Sequence, residues 1–305
     1  MASPAPALVF DTSFDPQTGE AVPIVPGLVR VTAPNRSVYT FSGTNSFVVG
    51  HDSVAVIDPG PDDARHEAAL ARAVQGRRIE AIILSHTHRD HSASARRLAD
   101  LWSVPLWFGG QHRLSRPLRR FEGNPIKGSC DWDLVPDRVL GDTDLLEVGG
   151  VMLSVATTPG HCANHLAFGL RGTPPLLTGD HIMGWNSTLV SVPDGSMADY
   201  LASLDKVLAL EFTHYVPAHG GPITDGPPYA KALRTHRQAR NGQILEAVRG
   251  GARTVGAVVS AVYPDISLPL RGAAAMVVKA HVEYLEDTGT MEVRRGVLGT
   301  RLLAV

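Results

Sequence analysis

The sequence predicts an α+β fold, with a large mixed α/β unit over residues 1–225 and a small, mostly helical unit over residues 226–305. Two observations carry that division. Short apolar strands alternate with amphipathic helices through the first stretch, whereas beyond Asp225 the pattern turns helical. The charge changes sign at the same place, from 17 basic and 24 acidic side chains (−7) to 11 basic and 6 acidic (+5). A chain of 305 residues is long enough for one large domain and one small one.

After a Pro-rich, irregular beginning, the runs Leu28–Thr32, Thr44–Val49 and Val54–Ile57 are bounded by Gly, Asn and Asp and read as strands. Asp62 to Gln75 has helical composition, with Ala68, Leu70, Ala71 and Val74 as its inward face. Ile79–Leu84 follows as a buried strand. The next helix, after His91, places Ala95, Leu98 and Leu101 inward, and Val104–Phe108 returns as a strand. Leu114 to Asp137 lacks periodicity, contains several Pro and Gly residues, and is long enough to predict a functional loop. Leu145–Val148, Val151–Thr157, His165–Leu170 and Pro175–Leu177 read as further strands, and Met197–Leu210 as a helix. In the tail, Tyr229–Val248, Val255–Val262 and Arg271–Glu286 read as helices, and Thr290 to Val305 as two strands around Gly296 to Gly299.

Composition narrows the class. Apolar residues make up 44% and charged residues 19%, as in soluble globular proteins and unlike disordered or membrane-embedded ones. The longest apolar runs, such as Ala273 to Val278, fall far short of the roughly 20 residues of a membrane span. Met1 to Phe10 lacks a basic segment followed by an apolar core, so the expectation is a cytoplasmic protein without a membrane role. Cys130 and Cys162 provide no disulfide framework and read as reduced, packed side chains.

The chemistry concentrates after Ile79–Leu84, where Ser85-His86-Thr87-His88-Arg89-Asp90-His91 brings three imidazoles and a carboxylate into six residues. Neutral imidazole nitrogens and carboxylate oxygens are the donors that zinc, iron and manganese accept. Directly after a strand, His86 and His88 point the same way, and an incoming helical turn aims Asp90 and His91 at a neighbouring point. Three more candidates end apolar runs: His161 in Thr158-Pro159-Gly160-His161, Asp180 in Thr178-Gly179-Asp180, and His219 in Val216-Pro217-Ala218-His219-Gly220. His165 fits substrate contact, support of the ligands, or simple packing. His181 points away from Asp180 if its segment is extended. His51, His66, His112, His214, His236 and His281 have no comparable setting.

This pattern, H-x-H-x-D-H followed by Pro-Gly-His, Gly-Asp and a late His-Gly, resembles the metallo-β-lactamase superfamily over most of residues 28–225. The resemblance implies a four-layer αβ/βα sandwich. It further implies that His86, His88 and His161 bind one divalent metal ion, that Asp90, His91 and His219 bind a second, and that Asp180 bridges them. Zinc is the expected metal, with manganese or iron as alternatives. Val56-Ile57-Asp58-Pro59-Gly60 matches a family turn in which Asp58 orients the metal loop, although a plain strand-ending aspartate explains it equally well. Two such ions, about 3.5–4 Å apart, produce a metal-bound hydroxide near neutral pH and stabilise an oxyanion. With two carboxylates and one hydroxide the cluster carries a formal charge near +1, which favours anionic or oxyanion-forming substrates. Asp180 and Asp90 are the candidate catalytic residues, Asp90 as ligand and as a proton carrier for the leaving group.

Within the superfamily the chain is most similar to the lactamase-beta-like-2 group, which includes a single-strand-specific endoribonuclease and carries a winged-helix-like tail. Gly43-Thr44-Asn45-Ser46-Phe47 and the tail helix His236-Arg237-Gln238-Ala239-Arg240-Asn241-Gly242-Gln243-Ile244-Leu245 carry this likeness. Single-stranded RNA is then the expected substrate, with Arg271, Lys279, Arg294, Arg295 and Arg301 suited to a phosphate backbone. The alternative is a small ester or thioester substrate of the glyoxalase II type, the tail serving packing or homodimer formation. The tail has only Tyr229, Tyr263 and Tyr284 for stacking bases. Arg113, Arg116, Arg119 and Arg120 form a second basic cluster, read either as lining the cleft or as a surface helix.

Overall fold

The computed structural model describes residues 8–296 and 299–305. The first sheet contains β1 (Val22–Val25), β2 (Leu28–Thr32), β3 (Asn45–Val49) and β4 (Ser53–Ile57), each antiparallel to the next. Helix α1 (Ala64–Val74) leads to β5 (Arg78–Ile83), and α2 (Arg89–Ser92) and α3 (Ala95–Trp102) lead to β6 (Leu106–Phe108). The two-residue β7 (Arg138–Val139) completes the sheet, with β4 to β7 all parallel. The second sheet is built from β8 (Leu145–Val148), β9 (Val151–Thr157), β10 (Leu166–Leu170), β11 (Pro175–Gly179) and, after helix α4 (Met197–Leu208), β12 (His214–Pro217). Its order is β12-β11-β10-β9-β8.

The alternation of side chains along a strand explains the layers. On β3 and β4, Phe47, Val49, Ala55 and Ile57 face the second sheet, where Leu153, Val155, Phe168 and Leu177 meet them. The intervening Val48, Val54 and Val56 face outward against Ala69, Leu70 and Ala73 of α1. These strands are buried on both faces, so Phe47 to Val49 and Val54 to Ile57 run apolar without alternation. Leu70 is fully buried, and such burial contributes about 1.5–3 kcal/mol. On the far side, α4 covers Ala167 and Leu176 with Tyr200 and Leu204. The result is a four-layer αβ/βα sandwich, as expected.

Two helical faces differ from the expectation. In α1 the buried residues are His66, Ala69, Leu70, Ala73 and Val74, while Ala68 and Ala71 are exposed. Alanines mark a face poorly, and the register is set by His66, whose Nε2 meets Ser46 Oγ at 2.7 Å. Asp63 caps the helix by accepting from the amides of Arg65 and His66. In α3 the 3.6-residue period carries Ala95, Leu98 and Ala99 inward and leaves Leu101 69% exposed.

The tail comprises α5 (Gly226–Arg249), α6 (Val255–Val262), α7 (Arg271–Asp287) and a hairpin of β13 (Met291–Gly296) with β14 (Gly299–Ala304). The turn expected at Gly296 to Gly299 includes residues 297 and 298, outside the described residues, as are residues 1–7 of the expected irregular start. Helix α5 belongs to two cores. Its Ala230 and Leu233 pack with α4, whereas Ile244 and Val248 join Val258, Val278 and Leu302 in a separate tail cluster. Among the described residues no helix is long and apolar enough to cross a membrane.

Candidate metal centre

The seven residues singled out in the sequence converge from four loops, each beginning where a strand ends. His86, His88, Asp90 and His91 follow β5, His161 follows β9, Asp180 follows β11, and His219 follows β12. Two glycines permit the convergence. Gly160 has φ +138°, and a Cβ there would lie 2.4 Å from Tyr200 Cα. Gly179 has φ +51°, and its Cβ would lie 2.5 Å from His165 Nε2.

The donor atoms form two groups sharing Asp180. In one, His88 Nδ1 lies 3.1 Å from His86 Nε2 and 2.8 Å from His161 Nε2. In the other, Asp90 Oδ2 lies 3.3 Å from His91 Nε2 and 3.2 Å from His219 Nε2. Asp180 stands between them, with Oδ2 3.5 Å from His161 Nε2 and Oδ1 3.3 Å from His219 Nε2 and 3.5 Å from His91 Nε2. Nitrogen ligands about 2.0–2.1 Å from a tetrahedral ion sit about 3.3 Å from one another. The observed spacings therefore fit two ions.

The opposite nitrogen of every imidazole is already occupied. His91 Nδ1 meets Asp58 Oδ2 at 3.1 Å, and Asp58 also accepts from the amide and hydroxyl of Ser85. Asp58 thus supports the metal loop rather than merely ending β4. His86 Nδ1 contacts Ser85 Oγ, His161 Nδ1 donates to the Leu189 carbonyl, and His219 Nδ1 to the Gly43 carbonyl. His88 Nε2 lies 3.0 Å from Asp194 Oδ2. These partners fix ring orientation and tautomer, leaving one lone pair per ring directed inward. His91 Nε2 and Asp180 Oδ1 are buried and make no well-formed hydrogen bond, their neighbours being other atoms of the cluster at 3.3–3.5 Å, an arrangement that suits a bound cation.

Electrostatics distinguishes the groups. Burial, reinforced by neighbouring imidazoles, pushes His86 well below the ordinary histidine range and His161 to about 4, so both are neutral donors. Burial opposes charge on His219 as well, yet Asp180 and Asp90 outweigh it and lift His219 to about 9; the same carboxylates raise His91. Protons there stand in for the positive charge that an ion would bring.

Two further residues were not legible as site members. Asp194 is fully buried and meets His112 Nε2 at 2.8 Å as well as His88 Nε2. Asn124 Nδ2 and the Cys130 thiol also direct donors at Oδ1. His112, which had no comparable setting in the sequence, is therefore part of the support. His165 is support too, accepting from the Asp180 amide at 3.0 Å while its Nδ1 meets Thr158 Oγ1. His181 packs against Tyr200, away from the cluster, and Cys162 is buried, both as expected.

The metal groups open into a cleft of about 520 Å³ whose other walls include Tyr39, Ile126, Met183, Leu189 and Met276. Its cationic side chain is Arg89. The second basic cluster does not line it: Arg116 pairs with Glu122 and Glu283, Arg119 pairs with Glu283, and Arg113 binds backbone carbonyls.

The sequence profile of the Metallo-beta-lactamase superfamily matches residues 39–219, more than half of the chain. The chain belongs to the metallo-beta-lactamase superfamily. It is a hydrolase of that superfamily, whose members use divalent metal ions. It is 26% identical over 280 residues to a beta-lactamase-like protein 2 homolog of Drosophila melanogaster, covering 88% of this chain and 90% of that one. It is also 26% identical over 247 residues to an atrochrysone carboxyl ACP thioesterase of Aspergillus fumigatus, covering 79% and 72% respectively. A beta-lactamase domain protein from Burkholderia ambifaria superposes with a TM-score of 0.78 at 21% identity, covering 96% of both chains. The likeness in fold to that structure thus extends beyond residues 39–219 into the tail.

Proposed function

We propose that this metallohydrolase cleaves small esters or thioesters with an apolar acyl part, and that His86, His88, Asp90, His91, His161, Asp180 and His219 would hold its two metal ions. The observation that carries this reading is the wall of the cleft. Ile126, Met183, Leu189 and Met276 offer an acyl chain an apolar surface, with Arg89 as the cationic side chain. A phosphodiester polymer would call for several free cations, and Arg116 and Arg119 are engaged by glutamates instead. The similarity to a protein named as a thioesterase points the same way.

The chemistry that the ions supply when bound is acidification of water and stabilisation of the oxyanion on the attacked group. His86, His88 and His161 would hold one ion, the first and last as neutral donors, and His91 and His219 with Asp90 would hold the other, with Asp180 facing both positions. Asp90, with a side chain 28% exposed against 10% for Asp180, is the carboxylate most open to the leaving group and carries its proton. Nitrogen and oxygen donors in near-tetrahedral spacing favour zinc, with manganese and iron as substitutes. Two free cysteines suit a reducing, cytoplasmic setting.

We further assign residues 1–225 to the catalytic domain and 226–305 to a winged-helix-like domain. A second reading, cleavage of single-stranded RNA in the manner of the lactamase-beta-like-2 group, rests on Arg271, Lys279 and Arg301. These are exposed and form no ion pair among the described residues. The two are separated by offering metal-loaded protein a panel of acyl thioesters, esters and single-stranded RNA. The first reading requires thioester or ester turnover without RNA cleavage. RNA cleavage alone, absent from Asp180→Ala protein, replaces it with the second.

A further inference from the structure

Arg237 is 2% exposed and is the largest fully buried side chain among the described residues. It lies on α5, in the tail, yet it forms no ion pair among the described residues and its Nε has no hydrogen-bond partner. The guanidinium rests 5.1 Å from the centre of the Tyr200 ring, and Nη2 donates to the Thr188 carbonyl. Among the described residues the groups whose charge it influences are His181, Tyr200, His236 and His281, none of them a carboxylate. A buried cation without a counter-charge is expensive to keep, and an apolar side chain of similar length would fill the space more cheaply.

What the contact holds is the backbone beneath the metal centre. Thr188 Oγ1 donates to the Asp180 carbonyl at 2.8 Å and to the His181 carbonyl at 2.9 Å. The next carbonyl, of Leu189, accepts from His161 Nδ1 at 2.7 Å, and the Leu189 side chain lines the cleft. One two-residue segment therefore sets the orientation of His161, the backbone of Asp180 and part of the acyl wall. Its anchor on the tail side is Arg237.

We propose that Arg237 is a positioning residue for the metal centre, through which the tail helix α5 holds Thr188 and Leu189 so that His161 and Asp180 keep their spacing. The inference rests on the metal-binding reading of those residues. A planar, multi-donor guanidinium suits the task because it can satisfy a carbonyl while stacking on an aromatic face; a lysine ammonium has no such plane.

The test compares Arg237→Lys, Arg237→Met and Thr188→Val with the native protein. Each is measured for equilibrium zinc affinity by chelator competition, for kcat and KM, and for thermal unfolding of the metal-free chain. Arg240→Met, which removes a cation stacked on Tyr263 one turn away, is the control. The expected result is a loss of about 10- to 100-fold in zinc affinity for Arg237→Lys in folded protein, comparable to removal of other groups that orient metal ligands, with kcat reduced. Thr188→Val reaches the same ligands from the other end and shows the same direction should the Arg237 variants fail to fold. Native zinc affinity and kcat in folded Arg237→Lys and Thr188→Val overturn the inference, even if metal-free stability falls. Failure of the native protein to bind zinc would instead remove the metal reading on which it stands.

Discussion

The carboxylate of Asp194 lies 3.0 Å from Nε2 of His88, the imidazole whose other nitrogen faces the metal cluster. Burial works against its charge, but hydrogen bonds from His112 and His88 hold it well below the ordinary aspartate range. It is thus an anion fixed behind a ligand, and it makes His88 a stronger donor. Replacing it by Asn keeps the shape while removing the charge and pointing donors at donors. Asp194→Asn should lower metal affinity by about 10- to 100-fold, read by chelator competition. Unchanged affinity would reduce Asp194 to a packing role.

The tail is fastened to the catalytic body by Arg116 and Arg119 on one side and Glu283 on the other, with Arg295 and Glu286 adjoining. Glu283→Gln leaves the two arginines facing a neutral amide and should cost about 1–3 kcal/mol, measured by denaturant unfolding. An unchanged midpoint would show that apolar packing of α5 and α7 alone secures the tail.

Two carboxylates beside this fastening predict a pH response. Within the body Arg116 holds Glu122 at about 2 instead of 4.5, and Glu286 of the tail is lowered by Arg295 and, across the junction, by Arg119 and Arg116. Depressed carboxylates contribute stability in full above their ordinary range and lose it as pH falls through the folded value. Amide exchange protection of the tail should therefore weaken between pH 4.5 and about 2, and added salt should reproduce part of the loss at neutral pH, since the pairs are only half-buried. Protection independent of both would contradict this.

Met276 reaches the cleft from α7, so the tail supplies part of its apolar wall, where the proposed acyl chain would lie. Met276→Lys should raise KM for long apolar acyl substrates by tenfold or more, since about 1.4 kcal/mol is a factor of ten and burying an ammonium there costs at least that. Activity on short acyl groups should change little. An equal effect on both would place the acyl chain elsewhere.

Much of this was legible in the residues. His86, His88, Asp90 and His91 stood out because so many donors in six positions are costly without a common partner, and strand-end placement of His161, Asp180 and His219 completed the set. Asp58 was half legible, its turn being visible but its contact with His91 not. Asp194 and His112 were not, because their role depends on loops 82 and 106 residues apart in sequence meeting over His88. For Arg116 and Arg119 the residues left cleft lining and a surface helix both open, and their pairing was hidden for the same reason: their shared partner Glu283 lies 167 and 164 residues away on α7. Continuously apolar strands located both sheets, whereas β1 and β7 were too short or too polar to register. Alanine-rich α1 gave its existence but not its face.

The most direct test of the account is the metal content of purified, zinc-equilibrated protein, measured by elemental mass spectrometry on native and Asp180→Ala chains, with ester and thioester hydrolysis followed on the same samples. Asp180 faces both donor groups, so the expected result is two ions per native chain, at most one tightly held in the variant, and hydrolysis that chelation abolishes and zinc restores. A native chain that hydrolyses its substrate without metal, or a variant that keeps two ions and full turnover, would contradict it.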